Sequence, residues 1–143
     1  MTIKQLSVFI ENKAGRLAEI TGVLREHHID IRAVSIADTK DFGILRLIVT
    51  RPDEAEAALR AAGMTVSLTE VIAIGVEDQP GALSDALTIL QNNGITIDYM
   101  YAYISRTDDL AYVILRVEDN ARAVEVMNQN HIRVLDGDEV YAV

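Results

Sequence analysis

The chain has 143 residues, of which 50% are hydrophobic and 24% are charged, with a formal net charge of -9 and no cysteine. This composition supports a packed core. The negative charge disfavours nucleic acid and anionic membranes as partners, because both attract clustered Lys and Arg. Without cysteine there is no disulfide, thiolate nucleophile or Cys-based metal site.

No apolar run approaches the roughly 20 residues that span a bilayer. The opening MTIKQLSVFI has no long apolar segment that leads to a signal-peptide cleavage site. We therefore expect a cytoplasmic protein, and we predict no cofactor and no metal site.

In chain order, the first half predicts the pattern βαββαβ. A short β-rich run, LSVFI, precedes GRLAEITGVLREHH, in which Leu17, Ile20 and Leu24 recur at helical spacing. The alternating run IDIRAVSIAD, a turn at residues 39–43 and the strand ILRLIV follow. Pro52 opens a second helix that Gly63 ends, and MTVSLTEVIAI returns to strand. The predicted buried stripe of that helix is Ala55, Ala58, Leu59 and Ala62.

The second half repeats this pattern. Gly81 lies 66 residues after Gly15, and the same spacing places Leu90 on Leu24. The segments ALSDALTILQNN and ARAVEVMNQN are the predicted helices of this copy. The predicted fold is α+β, with two ferredoxin-like repeats at residues 1–69 and 70–143, each an antiparallel sheet with both helices on one face. We expect the terminal EVYAV, residues 139–143, to form an extra strand because it repeats EVIAI at residues 70–74.

The start of each copy carries the most specific motif. A strand ends in Asp/Asn-x-x-Gly-x-Leu, a helix follows, and Ile-x-Ile begins the next strand. The residues of this motif are Asn12, Gly15, Leu17 and Ile29-Asp30-Ile31 in the first copy, and Asp78, Pro80, Gly81, Leu83 and Gly94-Ile95-Thr96-Ile97 in the second. Over nearly the whole chain, this pattern resembles the ACT domain, a small-molecule sensing module of amino-acid metabolism.

The resemblance implies a ligand at the strand-to-helix loops. In the family, the loop and helix N-terminus hold the carboxylate of an amino acid, and polar side chains hold its ammonium group. The implied residues are Asn12, Gly15, Arg16, Leu17 and Asp30 in site one, and Asp78, Gly81, Ala82, Leu83 and Thr96 in site two. Unpaired N–H groups and the helix dipole favour an anion at this position.

Structural roles are the alternative for each of these residues taken singly. Asn12 and Asp78 can serve as N-caps, Pro80 suits a first helical turn, and glycine forms turns. Their joint recurrence in both copies favours binding. Asp30 can pair with an ammonium group whereas Thr96 offers a neutral acceptor, so we expect site one to bind more tightly.

The run Tyr99-Met100-Tyr101-Ala102-Tyr103 places three tyrosines on one face of a strand. Exposed aromatic rings on a sheet are also typical of RNA-binding plaits, but the net charge argues against RNA. We predict that Tyr99, Tyr101 and Tyr103 form a homodimer interface.

Together these features predict a non-catalytic sensor of a free amino acid, which regulates a partner or its own assembly. The main alternative is a regulatory subunit of an amino-acid biosynthetic enzyme that acts by protein contact. An enzyme is a weaker alternative, because the sequence shows no cluster of acid and base groups. We interpret His27, His28 and His131 as surface or helix-capping residues.

Overall fold

The computed structural model describes residues 2–11, 13–38, 41–104 and 109–141, which contain seven strands and five helices. The chain divides into two compact units. The N-terminal unit is Lys4–Thr69 together with Tyr141, and the C-terminal unit is Glu70–Val140 together with Thr2 and Ile3. The boundary after Thr69 falls inside a single long strand.

The N-terminal unit contains β1 (Ile3–Glu11), α1 (Arg16–Glu26), β2 (Ile31–Asp38), β3 (Phe42–Val49), α2 (Pro52–Ala61) and the first part of β4 (Thr65–Glu77). Its strand order is β2-β3-β1-β4. β3 pairs antiparallel with both β1 and β2. The order and directions are those of the predicted ferredoxin-like repeat.

The C-terminal unit contains the second part of β4, α3 (Ala82–Asn92), β5 (Ile97–Ile104), β6 (Leu110–Val117), α4 (Asn120–Gln129), β7 (Arg133–Leu135) and α5 (Gly137–Tyr141). Its strand order is β7-β4-β6-β5. The predicted α+β class and the two βαββαβ repeats are confirmed. β4 serves as the last strand of one repeat and the first of the next.

Each unit has its own hydrophobic core between its sheet and its helices. In the N-terminal unit, alternate residues of β1 and β3 pack against Ile20 and Leu24 of α1 and Leu59 of α2. In the C-terminal unit, Leu90 of α3 and Met127 of α4 cover the equivalent face. The cause is local patterning, because strands with a period of two and helices with a period of 3.6 each present one apolar face.

Some predicted details were wrong at the ends of elements. Ala62 is exposed because it is the C-cap of α2 rather than part of its predicted buried stripe. Leu17 lies in the predicted helix and is 42% exposed in the first turn of α1. β3 begins at Phe42, inside the predicted turn, whereas Thr39 and Lys40 lie outside the described residues.

The predicted strand at residues 139–143 was also wrong. Glu139, Val140 and Tyr141 belong to α5, and residues 142–143 lie outside the described part of the chain. The physical reason is a reciprocal capping box. Asp136 Oδ1 accepts a hydrogen bond from Glu139 N, and Glu139 Oε2 accepts one from Asp136 N, both at 3.0 Å.

Candidate functional site

The two strand-to-helix loops both begin their helix with a left-handed glycine. Gly15 precedes α1 with φ = 85° and Gly81 precedes α3 with φ = 89°. Residues with a side chain rarely adopt this backbone conformation, because the Cβ comes too close to the following carbonyl oxygen. Glycine at this place in both copies is therefore a requirement of the turn.

The hydrogen bonds of the two loops match residue for residue. In the first copy Lys13 N donates to Glu11 O at 2.8 Å, and Arg16 N donates to Lys13 O at 3.3 Å. In the second copy the same bonds join Gln79 to Glu77 at 2.9 Å and Ala82 to Gln79 at 3.3 Å. The duplicated motif therefore encodes one loop geometry twice.

Neither glycine supplies a side-chain cap to its helix. The N-cap of α3 is Gly81, so Asp78 and Pro80 lie upstream of the cap and the helix, and the N-cap and first-turn explanations fail for these two residues. Asn12 lies outside the described residues. First-turn N–H groups without a side-chain cap are favourable donors to an anion.

A groove adjoins the first loop, which we name the N-loop groove. Its volume is about 260 Å³, and its lining residues are Phe9, Ile10, Glu11, Arg16, Gly63, Met64 and Thr65. Arg16 pairs with Glu19 at 3.1 Å. The hydrogen bond and the positive charge of Lys13 lower the pKa of Glu11. One acidic, one basic and one hydroxyl side chain therefore line this groove together with apolar residues.

The equivalent groove in the second copy, the C-loop groove, is larger at about 410 Å³. Its apolar lining residues are Gly75, Val76, Ala82, Ala86, Ile89, Leu110 and Ile132. Its polar lining residues are Glu77, Gln79, Asp85, His131 and Arg133. A lining of apolar residues with a few charged groups is typical of small-molecule sites.

Asp30 and Thr96 do not join the loop of their own unit. Each lies beyond the C-terminal end of a helix whose N-terminal end carries the loop, and that helix has 11 residues. The helix length is about 16 Å at about 1.5 Å per residue. Within one unit, therefore, the loop and the Asp30 or Thr96 side chain do not line a common pocket.

Asp30 has a local structural environment. Its backbone N–H donates to Thr50 Oγ1 at 3.1 Å, and its carboxylate lies 3.7 Å from Arg32. The Asp30 side chain is 54% exposed, so it is open to solvent at this end of the N-terminal unit.

Thr96 lines a separate cavity of about 430 Å³ in the C-terminal unit, which we name the acidic cleft. The other lining residues are Gly94, Ile95, Asp98, Glu118, Asp119 and Arg122. Asp119 caps α4 by accepting from Arg122 N at 3.0 Å, and Arg122 Nη2 donates to Asn93 O at 2.8 Å. These bonds give two members of the cleft a structural role.

Of the predicted residues, the structure brings Arg16 into the N-loop groove and Ala82 into the C-loop groove. Gly15 and Gly81 shape the adjoining turns, and Leu83 is half-buried against the core. Sequence reasoning missed Arg133, which lines the C-loop groove from β7. The only sequence signal was its place as a cation in an otherwise apolar strand.

The predicted tyrosine face lies on β5, and the neighbouring strand β6 adds residues to it. Tyr101 is paired with Ile114, and the rings of Tyr103 and Tyr112 meet edge to face at 5.4 Å. Tyr112 is 5% exposed and Ile114 is 0% exposed in a single chain, while Tyr99, Tyr101 and Tyr103 are half-buried. The three tyrosines therefore present only part of their surface.

Two further observations concern the described residues only. None of their helices combines the length and the hydropathy that a bilayer crossing requires. Over the same ranges, no three His, Asp or Glu side chains are grouped so that they could hold a metal ion.

Comparisons with known proteins give the family. The model of the ACT domain pair matches residues 1–143. A search of curated proteins found no significant match. The crystal structure of protein BT0572 from Bacteroides thetaiotaomicron is 38% identical in sequence with a TM-score of 0.94, over 100% of this chain and 98% of that one.

Regulatory subunits of aspartate kinase share the fold at lower identity. The ligand-free subunit from Thermus thermophilus is 18% identical with a TM-score of 0.61, over 88% of this chain and 91% of that one. The subunit from Thermus flavus is 15% identical with a TM-score of 0.59, over 90% and 92%. With its paired loops and its match from end to end, this chain belongs to the ACT domain family as an ACT domain pair.

Proposed function

We propose that this ACT domain pair is a non-catalytic sensor that binds a free amino acid, or a similar small carboxylate, at its strand-to-helix loops. Occupancy of the loops then regulates a partner protein or the assembly of the chain itself. A ligand that binds one conformation more tightly shifts the population toward that conformation.

The observation that carries the proposal is the duplicated loop geometry. Each loop places an uncapped helix N-terminus beside a groove that contains an arginine and a glutamate, Arg16 with Glu11 in one copy and Arg133 with Glu77 in the other. The guanidinium and the N–H groups suit a carboxylate, and the glutamate suits an ammonium group. A free amino acid carries both charges.

Family membership supports regulation rather than catalysis. Chains of similar fold include regulatory subunits of aspartate kinase. A binding role also agrees with two units that each carry one loop and one groove, since a sensor needs only differential binding and no reacting side chains.

The test is a thermal-shift screen of the purified protein against the twenty amino acids at millimolar concentration. A ligand present at about 100 times its dissociation constant stabilises the folded protein by roughly 2.7 kcal/mol. We expect stabilisation by one amino acid or by a few related ones.

The matched control is the amide of each amino acid that stabilises the protein, because the amide lacks the carboxylate. We expect the amide to give little or no shift. A folded protein whose melting temperature none of the twenty amino acids changes, and which shows no binding heat by calorimetry, contradicts the proposal.

The unequal strength of the two predicted sites stays a prediction. If Asp30, rather than Glu11 of the N-loop groove, holds the ammonium group in site one, Asp30→Ala lowers amino-acid affinity more than Thr96→Val does. Calorimetric titration of both variants compares them directly. If Asp30→Ala leaves the amino-acid affinity unchanged while Thr96→Val abolishes binding, the prediction that site one binds more tightly is wrong.

The second candidate is a regulatory subunit that acts by protein contact. Large apolar side chains at the surface favour it: Val34 is 56% exposed and Ile36 is 47% exposed on β2. In a pull-down, such a subunit captures an enzyme in stoichiometric amount. The double variant Val34→Ser/Ile36→Ser is expected to capture less of that enzyme. Capture without any amino-acid binding favours this candidate over the sensor.

A homodimer through Tyr99, Tyr101 and Tyr103 remains part of the proposal. The half-buried rings of this face can still add contact area to a second copy. Sedimentation velocity over a concentration series tests it, with Tyr101→Glu as the variant expected to weaken association. A wild-type protein that stays monomeric at high micromolar concentration contradicts it.

A further inference from the structure

We propose, on the basis of the proposed function, that the C-loop groove takes an amino acid with an aliphatic side chain, and that the ligand's carboxylate displaces Glu139 from Arg133. Binding then loosens α5. The ligand class and the coupling to α5 both follow from how the C-loop groove differs from the N-loop groove.

The first difference is the size and polarity of the walls. Where the N-loop groove has Phe9 and Arg16, the equivalent positions of the C-loop groove have Gly75 and Ala82. Both replacements shorten a side chain, and the volume is about 410 Å³ rather than about 260 Å³.

The walls that remain are apolar. Val76, Ala86, Ile89 and Ile132 line the C-loop groove, and Val76, Ile89 and Ile132 are partly buried residues that pack against the core of the C-terminal unit. Burial of aliphatic surface is favourable in proportion to its area, whereas a polar side chain that packs against these four residues finds no side-chain hydrogen-bonding partner among them. The groove therefore selects an aliphatic side chain over a polar one.

The charged lining residues fit the two ends of an amino acid. Glu77 and Asp85 carry the negative charge that pairs with an ammonium group. Arg133 carries a planar guanidinium with five N–H donors, which binds carboxylates through two parallel hydrogen bonds. Its side chain crosses beside Gly75, where its Cδ lies 3.7 Å from the position of an added Cβ.

Glu139 currently holds this guanidinium. The Arg133 Nη2 to Glu139 Oε1 distance is 2.5 Å, and the two side chains are 48% and 33% exposed. Since the pair is open to solvent, a second carboxylate can exchange with Glu139 at little cost. A ligand carboxylate and Glu139 therefore compete for the same donors.

Competition for Arg133 also affects α5, because the Glu139 carboxylate accepts a second hydrogen bond, from the backbone at the start of this helix. Its Oε2 accepts from Asp136 N at 3.0 Å and forms half of the capping box of α5. α5 has only five residues, so its own backbone hydrogen bonds are few and its ends matter. Loss of the ion pair frees the Glu139 side chain and weakens this cap.

The experiment uses the full chain and L-leucine as the probe, with L-serine as the polar comparison. By calorimetry we expect leucine to bind at least about tenfold more tightly than serine. Glu139→Gln removes the charge that competes for Arg133 but keeps the capping box, which accepts Gln. We expect it to raise leucine affinity by about three- to tenfold.

Arg133→Gln removes the carboxylate donor, and we expect leucine affinity to fall by at least about tenfold. Arg25→Gln is the matched control, because it removes an exposed arginine from the last turn of α1 that lines neither groove. A fourth readout is hydrogen exchange, in which the amides of α5 exchange faster when leucine is bound.

The outcomes separate this inference from the proposed function. Leucine affinity that is unchanged in a folded Arg133→Gln variant, or that falls as far in Arg25→Gln, overturns the inference and leaves the sensor proposal standing. Unchanged leucine affinity in Glu139→Gln, or equal affinity for serine and leucine, also overturns it. Wild-type protein that binds none of the twenty amino acids contradicts both.

Discussion

At the scale of single residues, the helix ends of the two copies differ in one informative way. The second residue after α1 is His28 with φ = 55°, and the second residue after α3 is Gly94 with φ = 72°. In both copies the next isoleucine, Ile29 or Ile95, donates back to a leucine carbonyl at 2.9 or 3.0 Å. The same left-handed C-terminal turn is made once with glycine and once without it.

This difference predicts opposite effects of exchanging the two residues. Glycine adopts positive φ without steric strain, whereas histidine is strained there. Glycine also loses more backbone entropy on folding, but this cost is smaller than the relief of strain. We expect His28→Gly to raise the free energy of unfolding by about 0.5–1 kcal/mol, and Gly94→His to lower it by about 1 kcal/mol. Urea unfolding followed by circular dichroism measures both, and effects of the same sign contradict the argument.

Tyr141 is the second informative residue. Its hydroxyl oxygen accepts from Lys4 N and lies 3.4 Å from Lys4 O. Burial raises the pKa of the Tyr141 phenol above its ordinary value. The folded protein therefore holds the proton more tightly than the unfolded chain. The contribution of Tyr141 to the free energy of unfolding is therefore constant below about pH 10, and it decreases as the pH rises further.

Tyr141→Phe removes both the hydrogen bonds and this alkaline sensitivity. At pH 7 we expect a loss of about 0.5–1.5 kcal/mol in the free energy of unfolding. At a pH of about 10.5 the wild-type protein loses part of its advantage, so the difference between the two proteins becomes smaller. Urea titrations at the two pH values test this, and a difference that grows at alkaline pH contradicts it.

At the scale of elements, most strands and helices were predictable because their signals are local. Pro52 at the start of α2 and Gly63 after its end mark that helix in the sequence alone, since each acts on its own backbone. The last element was not predicted. The similarity of EVYAV to EVIAI predicts a strand, whereas the capping box Asp136-x-x-Glu139 indicates the start of a helix. The capping box is also a local signal, and it is the one that agrees with the structure.

The capping box carries a prediction of its own. Asp136→Ala removes the acceptor for Glu139 N, and we expect the free energy of unfolding to fall by about 0.5–2 kcal/mol. Asp138→Ala is the matched control, because Asp138 lies in the same first turn and contributes only through the helix dipole, worth about 0.3–1 kcal/mol. Denaturant unfolding compares the two variants, and an equal or larger loss in Asp138→Ala contradicts the assigned cap.

At the scale of the whole molecule, the chain has two cores built from equivalent residues. Leu24 of α1 is 1% exposed in the core of the N-terminal unit, and Leu90 of α3 is 0% exposed in that of the C-terminal unit. The two positions are 66 residues apart in the repeat. Leu24 belongs to the first core and Leu90 to the second, so the stability of each copy depends on its own leucine.

We therefore expect Leu24→Ala and Leu90→Ala each to lower the free energy of unfolding by about 2–5 kcal/mol, through lost apolar burial and a residual cavity. Tyrosine fluorescence is the suitable probe for Leu90→Ala, because four of the five tyrosines lie in the C-terminal unit. Circular dichroism follows Leu24→Ala. A loss below about 1 kcal/mol in either variant shows that its cavity refills.

The sequence by itself determined the repeat, the order of elements as far as β7 and the two loops. Hydrophobic period, proline, glycine and the loop motif act on residues near them in the chain, so their consequences can be read without a structure. Gly15 and Gly81 are the clearest case, since φ values of 85° and 89° are ones that residues with a Cβ rarely adopt.

Only the tertiary structure decided how residues far apart in the chain meet. It placed Asp30 and Thr96 at the opposite helix end from the loops of their own units, and it brought Arg133 of β7 beside Gly75 of β4. It also made the second groove larger than the first. These outcomes depend on strand pairing and side-chain packing through space, which no spacing along a single sequence records.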